Sequence, residues 1–187
     1  MGSVPSAPPS TERVSVEPLV PAEIERLLTR AVVRGMRALF ADYGVSAETS
    51  GDKPVRPGTF PEMWARIDFD GPGMRGHVIL GAATAPLRRS RPGAGGERDW
   101  LSELINQLMG RVKNEMVRSG VQLQQGLPAI IPAEARGADG ANLLQWIFAA
   151  DGGVISVGIE ATIDHAVIPD PELLNWDVPP EGELLLF

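Results

Sequence analysis

The sequence predicts an α+β fold, a mostly antiparallel sheet covered on one face by two long helices. Three observations predict it. Two segments repeat apolar residues at the three- and four-residue spacing of an amphipathic helix, and two others carry strands on either side of a glycine-rich turn. The strands also come grouped, whereas a parallel sheet would alternate them with helices. No repeat of solenoid or propeller period interrupts the order helix, hairpin, helix, strand, hairpin.

From Ala22 to Phe40, the residues Ile24, Leu27, Leu28, Ala31, Val32, Met36 and Leu39 recur at helical spacing, and Gly44 ends the helix. Met63, Ala65, Ile67 and Phe69 then alternate with Trp64, Arg66 and Asp68, which makes a strand. Gly71-Pro-Gly73 turns it back into a second strand from Met74 to Leu80. Pro86 to Gly96, rich in Pro, Arg and Gly, reads as a loop. A second helix begins near Arg98 and stops at Gly120. Val121 to Gln125 reads as a short strand ahead of Leu127-Pro128. Asn142 to Ala149, the turn Asp151-Gly152-Gly153, and Val154 to Ile163 make the last hairpin.

At 187 residues the chain suits one domain with a real core, expected over residues 22–164. Residues 1–21, with five prolines among small polar residues, read as a flexible leader. Residues 165–187 form an acidic tail with Pro169, Pro171, Pro179 and Pro180, too dense in proline for a continuous helix or central strand. It either lies extended over the domain, pinned by Leu173, Leu174 and Trp176, or binds a partner. The start lacks the basic and apolar regions of a secretory signal, and no segment approaches a membrane span, so a cytoplasmic protein is expected.

The absence of cysteine excludes disulfide scaffolds, Cys-ligated zinc, iron–sulfur clusters and thiol nucleophiles. With 17 Lys+Arg against 24 Asp+Glu, the net charge of −7 opposes general binding to nucleic-acid phosphates. His77 and His165 have no partner at metal-ligand spacing, so no metal site is expected. Gly93-Ala-Gly-Gly96 lacks the lysine and the strand context of a phosphate-binding loop. Arg88, Arg89 and Arg91 read as turn and surface residues, and Trp64 and Trp146 as packing residues.

The helix from Arg98 is the informative one. At about 100° per residue, Leu101, Ile105, Leu108, Val112 and Met116 share a stripe that must face the sheet. Asp99, Glu103, Asn106, Gly110 and Lys113 gather on the other side, with Glu103 and Asn106 as surface neighbours. Glycine costs an exposed helix roughly 1 kcal/mol relative to Ala, so Gly110 lowers the surface beside Asn106 at some expense. Close approach by another macromolecule would use such a notch. An ordinary solvated face is the alternative.

Asp99-x3-Glu103-x2-Asn106, with Pro128 after 21 intervening residues, resembles the signature of the CheC/CheX/FliY chemotaxis phosphatases. Glu-Leu-Ile-Asn-Gln-Leu-Met-Gly-Arg-Val-Lys-Asn and Gly126-Leu-Pro128 are similar to the CheX branch. The gap to the proline is about a residue shorter than the family's usual one, as a tighter helix–strand turn would make it. The likeness is close over this helix and the next strand, and loose over residues 22–164. Glu172 and Asn175 repeat the Glu-x-x-Asn spacing inside the proline-bracketed tail, which shows that the pair alone is weak. The first helix has no Asn three residues after a Glu, so one active face is expected, as in CheX, rather than the two of CheC.

The resemblance implies a phosphatase that hydrolyses the aspartyl phosphate of a CheY-like receiver domain. Glu103 and Asn106 would be its catalytic pair, Asp99 and Gly110 would contribute to partner binding, and this chain would hold no cofactor. Mg2+ is expected on the receiver, whose own acidic residues supply it. An acyl phosphate is already activated, so positioning and electrostatics remain to be provided. An amide can donate to and accept from one water without changing protonation, which suits Asn106 to orienting the nucleophile. Glu103 would pair with the receiver's lysine and register the helix. The resemblance also implies a homodimer formed through the sheets. A non-catalytic CheX-like adaptor or dimerisation module is the rival reading. A stand-alone small-molecule enzyme is disfavoured, because no nucleophile–base set or metal cluster is visible.

Overall fold

In the computed structural model, which describes residues 17–49, 62–132, 134, 143–150 and 153–174, the first long element is α1 (Pro21–Asp42). Pro21 occupies the first helical position, where its missing N–H is not needed, and the Glu23 carboxylate accepts the Val20 N–H at 3.0 Å. Gly44, at φ 69°, carries the chain out of the helix as expected. The chain continues through β1 (Ala47–Thr49), β2 (Met63–Gly71), β3 (Met74–Ala82), α2 (Thr84–Ser90) and α3 (Glu97–Val117). There follow β4 (Gln124–Gln125), β5 (Ala129–Ile131), β6 (Leu144–Ala150), β7 (Gly153–Ile163) and α4 (Pro171–Leu174).

The seven strands form one antiparallel sheet in the order β1-β6-β7-β3-β2-β4, with β5 also pairing with β2. Its register sends alternate residues to the helices. Ala65, Ile67 and Phe69 of β2, Val78 and Leu80 of β3, Trp146 and Phe148 of β6, and Ile155, Val157 and Ile159 of β7 join the main core. Both tryptophans pack as expected, with Trp64 lying across Gly81 on the other face, where a side chain at Gly81 would collide with the ring.

α1 and α3 cover the sheet antiparallel to each other. Arg34, midway along α1, meets Glu115 near the end of α3, while Asp42 and Tyr43 at the end of α1 reach Arg111 and Gln107. They pack closely at Gly35, where a Cβ would stand 3.2 Å from Leu108 and 3.4 Å from Arg111. The two long helices, the hairpins and the grouped strands are as the sequence predicts.

Four local readings differ. Residues 84–90, read in part as loop, form α2. Pro86 lies in its first turn, where proline is tolerated, and Leu87 is fully buried. The strand expected over Val121–Gln125 shrinks to Gln124–Gln125, because Val121 and Leu123 turn into the core before the chain reaches β2. β1 and β5, three residues each, pair with β6 and β2 but are too short to show a period. In the tail, Val167 and Pro169 are buried and Leu173 is partly buried, whereas Leu174 is 43% exposed. Val167 pairs with Leu19, so chain on both sides of the 22–164 core meets in a two-residue bridge. The leader before residue 17, the turn residues Asp151 and Gly152, and Asn175 and Trp176 lie outside the described residues.

Candidate functional site

The first turn of α3 is tied to the elements around it. The indole N–H of buried Trp100 donates to Ser90 Oγ at 2.9 Å, tying α3 to α2, and the ring meets Tyr43 edge-on at 4.9 Å. Arg88 donates to Glu97 at 2.9 Å, and this hydrogen bond is the main reason that the Glu97 carboxyl ionises below its ordinary range. Arg91 donates to the carbonyls of Gly93 and Gly95, so two of the three clustered arginines serve the turn that leads into the helix.

Leu101, Ile105, Leu108, Val112 and Met116 have no exposed surface, as their stripe requires, and Leu104 and Met109 widen it. The other face is open. Asp99 and Glu103 are exposed, while Asn106, Gly110 and Lys113 are partly exposed. A Cβ on Gly110 would meet nothing within 4 Å, so this chain's own packing places no demand for glycine there.

The two polar groups of the pair are held differently. A Glu103 carboxylate oxygen accepts from the Gln107 amide at 2.7 Å, one turn on, and Gln107 Oε1 accepts from the Tyr43 hydroxyl at 2.9 Å. Glu103, which is exposed, is thereby braced through one side chain to the end of α1. Asn106 Oδ1 accepts from the amide nitrogen of Gln125 at 2.8 Å. Gln125 belongs to β4 and pairs with Phe69 of β2, and the next residue, Gly126, donates to the Asp68 carbonyl at 2.8 Å. The sheet edge therefore sets the position of the Asn106 side chain.

Gln125 and Leu127 are residues near the pair to which the sequence reading gave no role at the site. Leu127 is 89% exposed, two positions after Gln125 and beside Pro128. Its apolar side chain in a Gly-Leu-Pro turn, outside any alternating strand pattern, was the available signal. Nothing local in the sequence marks Gln125, whose role depends on β4 lying beside α3. Elsewhere, His77 approaches Glu160 at 3.8 Å across β3 and β7, and His165 sits against the Gly73 turn. Glu172 is exposed on the four-residue α4, and Asn175 is outside the described residues. Among the described residues, no group of three potential His, Cys, Asp or Glu ligands could hold a metal, and no helix is long and apolar enough to cross a membrane.

No family model and no curated protein matches this sequence. Solved structures do match its fold. The chemotaxis protein CheX of Desulfovibrio desulfuricans has a TM-score of 0.61 at 12% identity, covering 72% of this chain and 99% of its own. The chemotaxis protein CheX of Vibrio vulnificus has a TM-score of 0.59 at 14% identity, covering 72% and 96%. A chain of the CheX–CheY–BeF3–Mg2+ complex of Borrelia burgdorferi has a TM-score of 0.52 at 14% identity, covering 73% and 96%. The expected α+β fold is therefore that of CheX/CheC-like chemotaxis proteins.

Proposed function

We propose that this protein is a cytoplasmic phosphatase for the aspartyl phosphate of a CheY-like response regulator, in chemotaxis or related two-component signalling. The supporting observation is the Glu103–Asn106 pair on the outer face of α3, Glu103 exposed and Asn106 partly so, with the Asn106 amide oxygen accepting from Gln125. It stands on a fold whose solved relatives include a protein crystallised with CheY.

Asn106 enters the receiver's pocket and positions the attacking water. Its Oδ1 has two lone pairs; one receives the Gln125 N–H and the other is available for a proton of the water. With Oδ1 so engaged, Nδ2 points its donors toward the developing charge on the phosphoryl oxygens. Glu103, preset by Gln107, pairs with a cationic side chain of the receiver and registers the helix. Gly110 lets the partner approach one turn further on, Asp99 extends the acidic edge, and Leu127 offers an apolar contact beside the pair. Mg2+, held by the receiver, neutralises phosphoryl charge. A homodimer is part of the same proposal.

The test is the lifetime of a phosphorylated receiver with and without the protein. Loss of a positioned catalytic amide should slow stimulated hydrolysis by on the order of 10²-fold in Asn106→Ala, with the fold retained. Binding to the receiver without any acceleration by the unmodified protein would establish the adaptor reading instead.

A further inference from the structure

The two groups of the pair rest on separate supports. Asn106 is held from the sheet edge by Gln125, whereas Glu103 is linked by hydrogen bonds to the C-terminal end of the other long helix. That second support is built in depth. Tyr43 caps α1, its backbone N–H donates to the Phe40 carbonyl at 3.1 Å, and the preceding Asp42 pairs with Arg111 of α3. Its ring stands edge-on to Trp100, whose indole N–H donates to Ser90 Oγ at 2.9 Å, and that hydroxyl donates in turn to the Leu87 carbonyl at 3.2 Å. The phenol is therefore fixed by α1, α2 and α3 together.

We infer that Tyr43 is a positioning residue for partner docking, acting on Glu103 through Gln107. This role rests on the phosphatase reading, in which Glu103 meets a cationic side chain of the receiver. Polarity gives the relay one direction. The Tyr43 hydroxyl donates to Gln107 Oε1 at 2.9 Å, which leaves the amide nitrogen to donate to Glu103 Oε1 at 2.7 Å; a reversed amide would set its oxygen against the carboxylate. One oxygen of Glu103 is thus held in place, while lone pairs remain for an incoming ammonium or guanidinium.

An exposed ion pair gains little, because two long side chains must be frozen into one geometry. Glu103 is exposed, and its tether removes part of that entropy loss before the receiver arrives. Preorganisation of this kind tightens docking. It leaves the chemical step alone, since Asn106 takes its orientation from β4 rather than from Tyr43.

The test uses the full-length protein and a CheY-like receiver phosphorylated with acetyl phosphate. Tyr43→Phe keeps the ring against Trp100 and deletes only the hydroxyl, and Gln107→Leu removes the amide at similar volume. Each should raise KM about twofold to tenfold with kcat holding, the range that loss of one hydrogen bond produces. In a Glu103→Ala background, with Kd for the beryllofluoride-loaded receiver as the readout, Tyr43→Phe should add nothing, because the group it positions is gone. An unchanged KM in Tyr43→Phe, a fall in kcat, or a further weakening in the double variant would overturn this role and leave the phosphatase reading standing. Receiver binding without acceleration by the unmodified protein would remove the phosphatase reading alone, and the same ratios would then be read from Kd. No binding at all would overturn both.

A spectroscopic readout separates positioning from a merely structural anchor. Tyr43 is the only tyrosine in the chain, so 3-fluorotyrosine gives a single 19F signal. That signal should move in Glu103→Ala and hold in Asp99→Ala, which removes an exposed acid on the same face about 12 Å along the helix from Gln107. A signal unmoved by Glu103→Ala would show that Gln107 transmits nothing between the two residues, and Tyr43 would then be an anchor of α1 alone.

Discussion

The two faces of α3 obey different rules. Leu101, Ile105, Leu108, Val112 and Met116 are fully buried against the sheet, and each contributes roughly 1.5–3 kcal/mol by leaving water. On the opposite face, Asp99 and Glu103 stand exposed and Gly110 forgoes a side chain that would have met no obstacle. Core packing explains the first set; in the second, Asp99 suits the first helical turn and Glu103 is braced by Gln107, but nothing in the described packing calls for glycine at Gly110. That contrast is what the proposed docking of a receiver on the outer face accounts for.

The sharpest way to separate the faces is to damage the inner one. Leu108→Ala should cost about 2–5 kcal/mol of stability, because a buried leucine leaves both lost transfer energy and a cavity. Denaturant unfolding should show that loss, while the activity per folded molecule toward a phosphorylated receiver stays unchanged. A large change in activity without a change in stability would mean that the inner stripe is not merely structural.

Gln125 stands between the two faces, since it belongs to the sheet but acts on the outer side. Gln125→Ala removes the donor that holds Asn106 Oδ1, an interaction worth about 0.5–1.5 kcal/mol. Stimulated dephosphorylation should fall about threefold to tenfold, in kcat rather than KM, because receiver docking is intact while the amide loses its preferred orientation. A rise in KM alone would assign Gln125 to partner contact instead of positioning.

This division also marks what could be read from the residues. Period-3.6 and period-2 patterns report which side of an element meets the core, so both long helices, both hairpins and the α3 stripe were legible. β1 and β5 were not, because three residues establish no period and their pairing with β6 and β2 is a tertiary event. α2 was hidden by Pro86, a helix breaker except in the first turn, where it lies. The outward grouping of Glu103 and Asn106 followed from spacing, but the Gln125 contact joins residues 19 apart and depends on where β4 lands. Tyr43, which braces Glu103 through Gln107, was equally out of reach, because it sits at the end of a different helix.

Gly110→Ala tests the outer face from the opposite direction. With open space around the new Cβ and about 1 kcal/mol gained from helix propensity, Tm should rise by about 2–4 °C. Under the proposed docking, the same methyl group obstructs the partner, so KM for the phosphorylated receiver should rise while kcat holds. A stabilised variant with unaltered KM would show that the partner does not use the notch, leaving Gly110 an ordinary surface glycine.

Glu97 gives the smallest effect and the cleanest limit to the comparison, because it is a polar residue of α3 whose role is to hold the turn. Arg88 stabilises its ionised form, so its folded pKa lies below the unfolded one, and the contribution is present above the ordinary carboxylate range near 4.5. As pH falls through the lowered folded value, that contribution is lost. Glu97→Gln should therefore be slightly less stable than the parent near neutral pH, with the difference vanishing in acid. Receiver dephosphorylation at neutral pH should be unaffected. If it fell as far as in Gln125→Ala, the functional surface would have to extend to the first residue of α3, and the boundary between structural and partner-facing polar groups would move back toward α2.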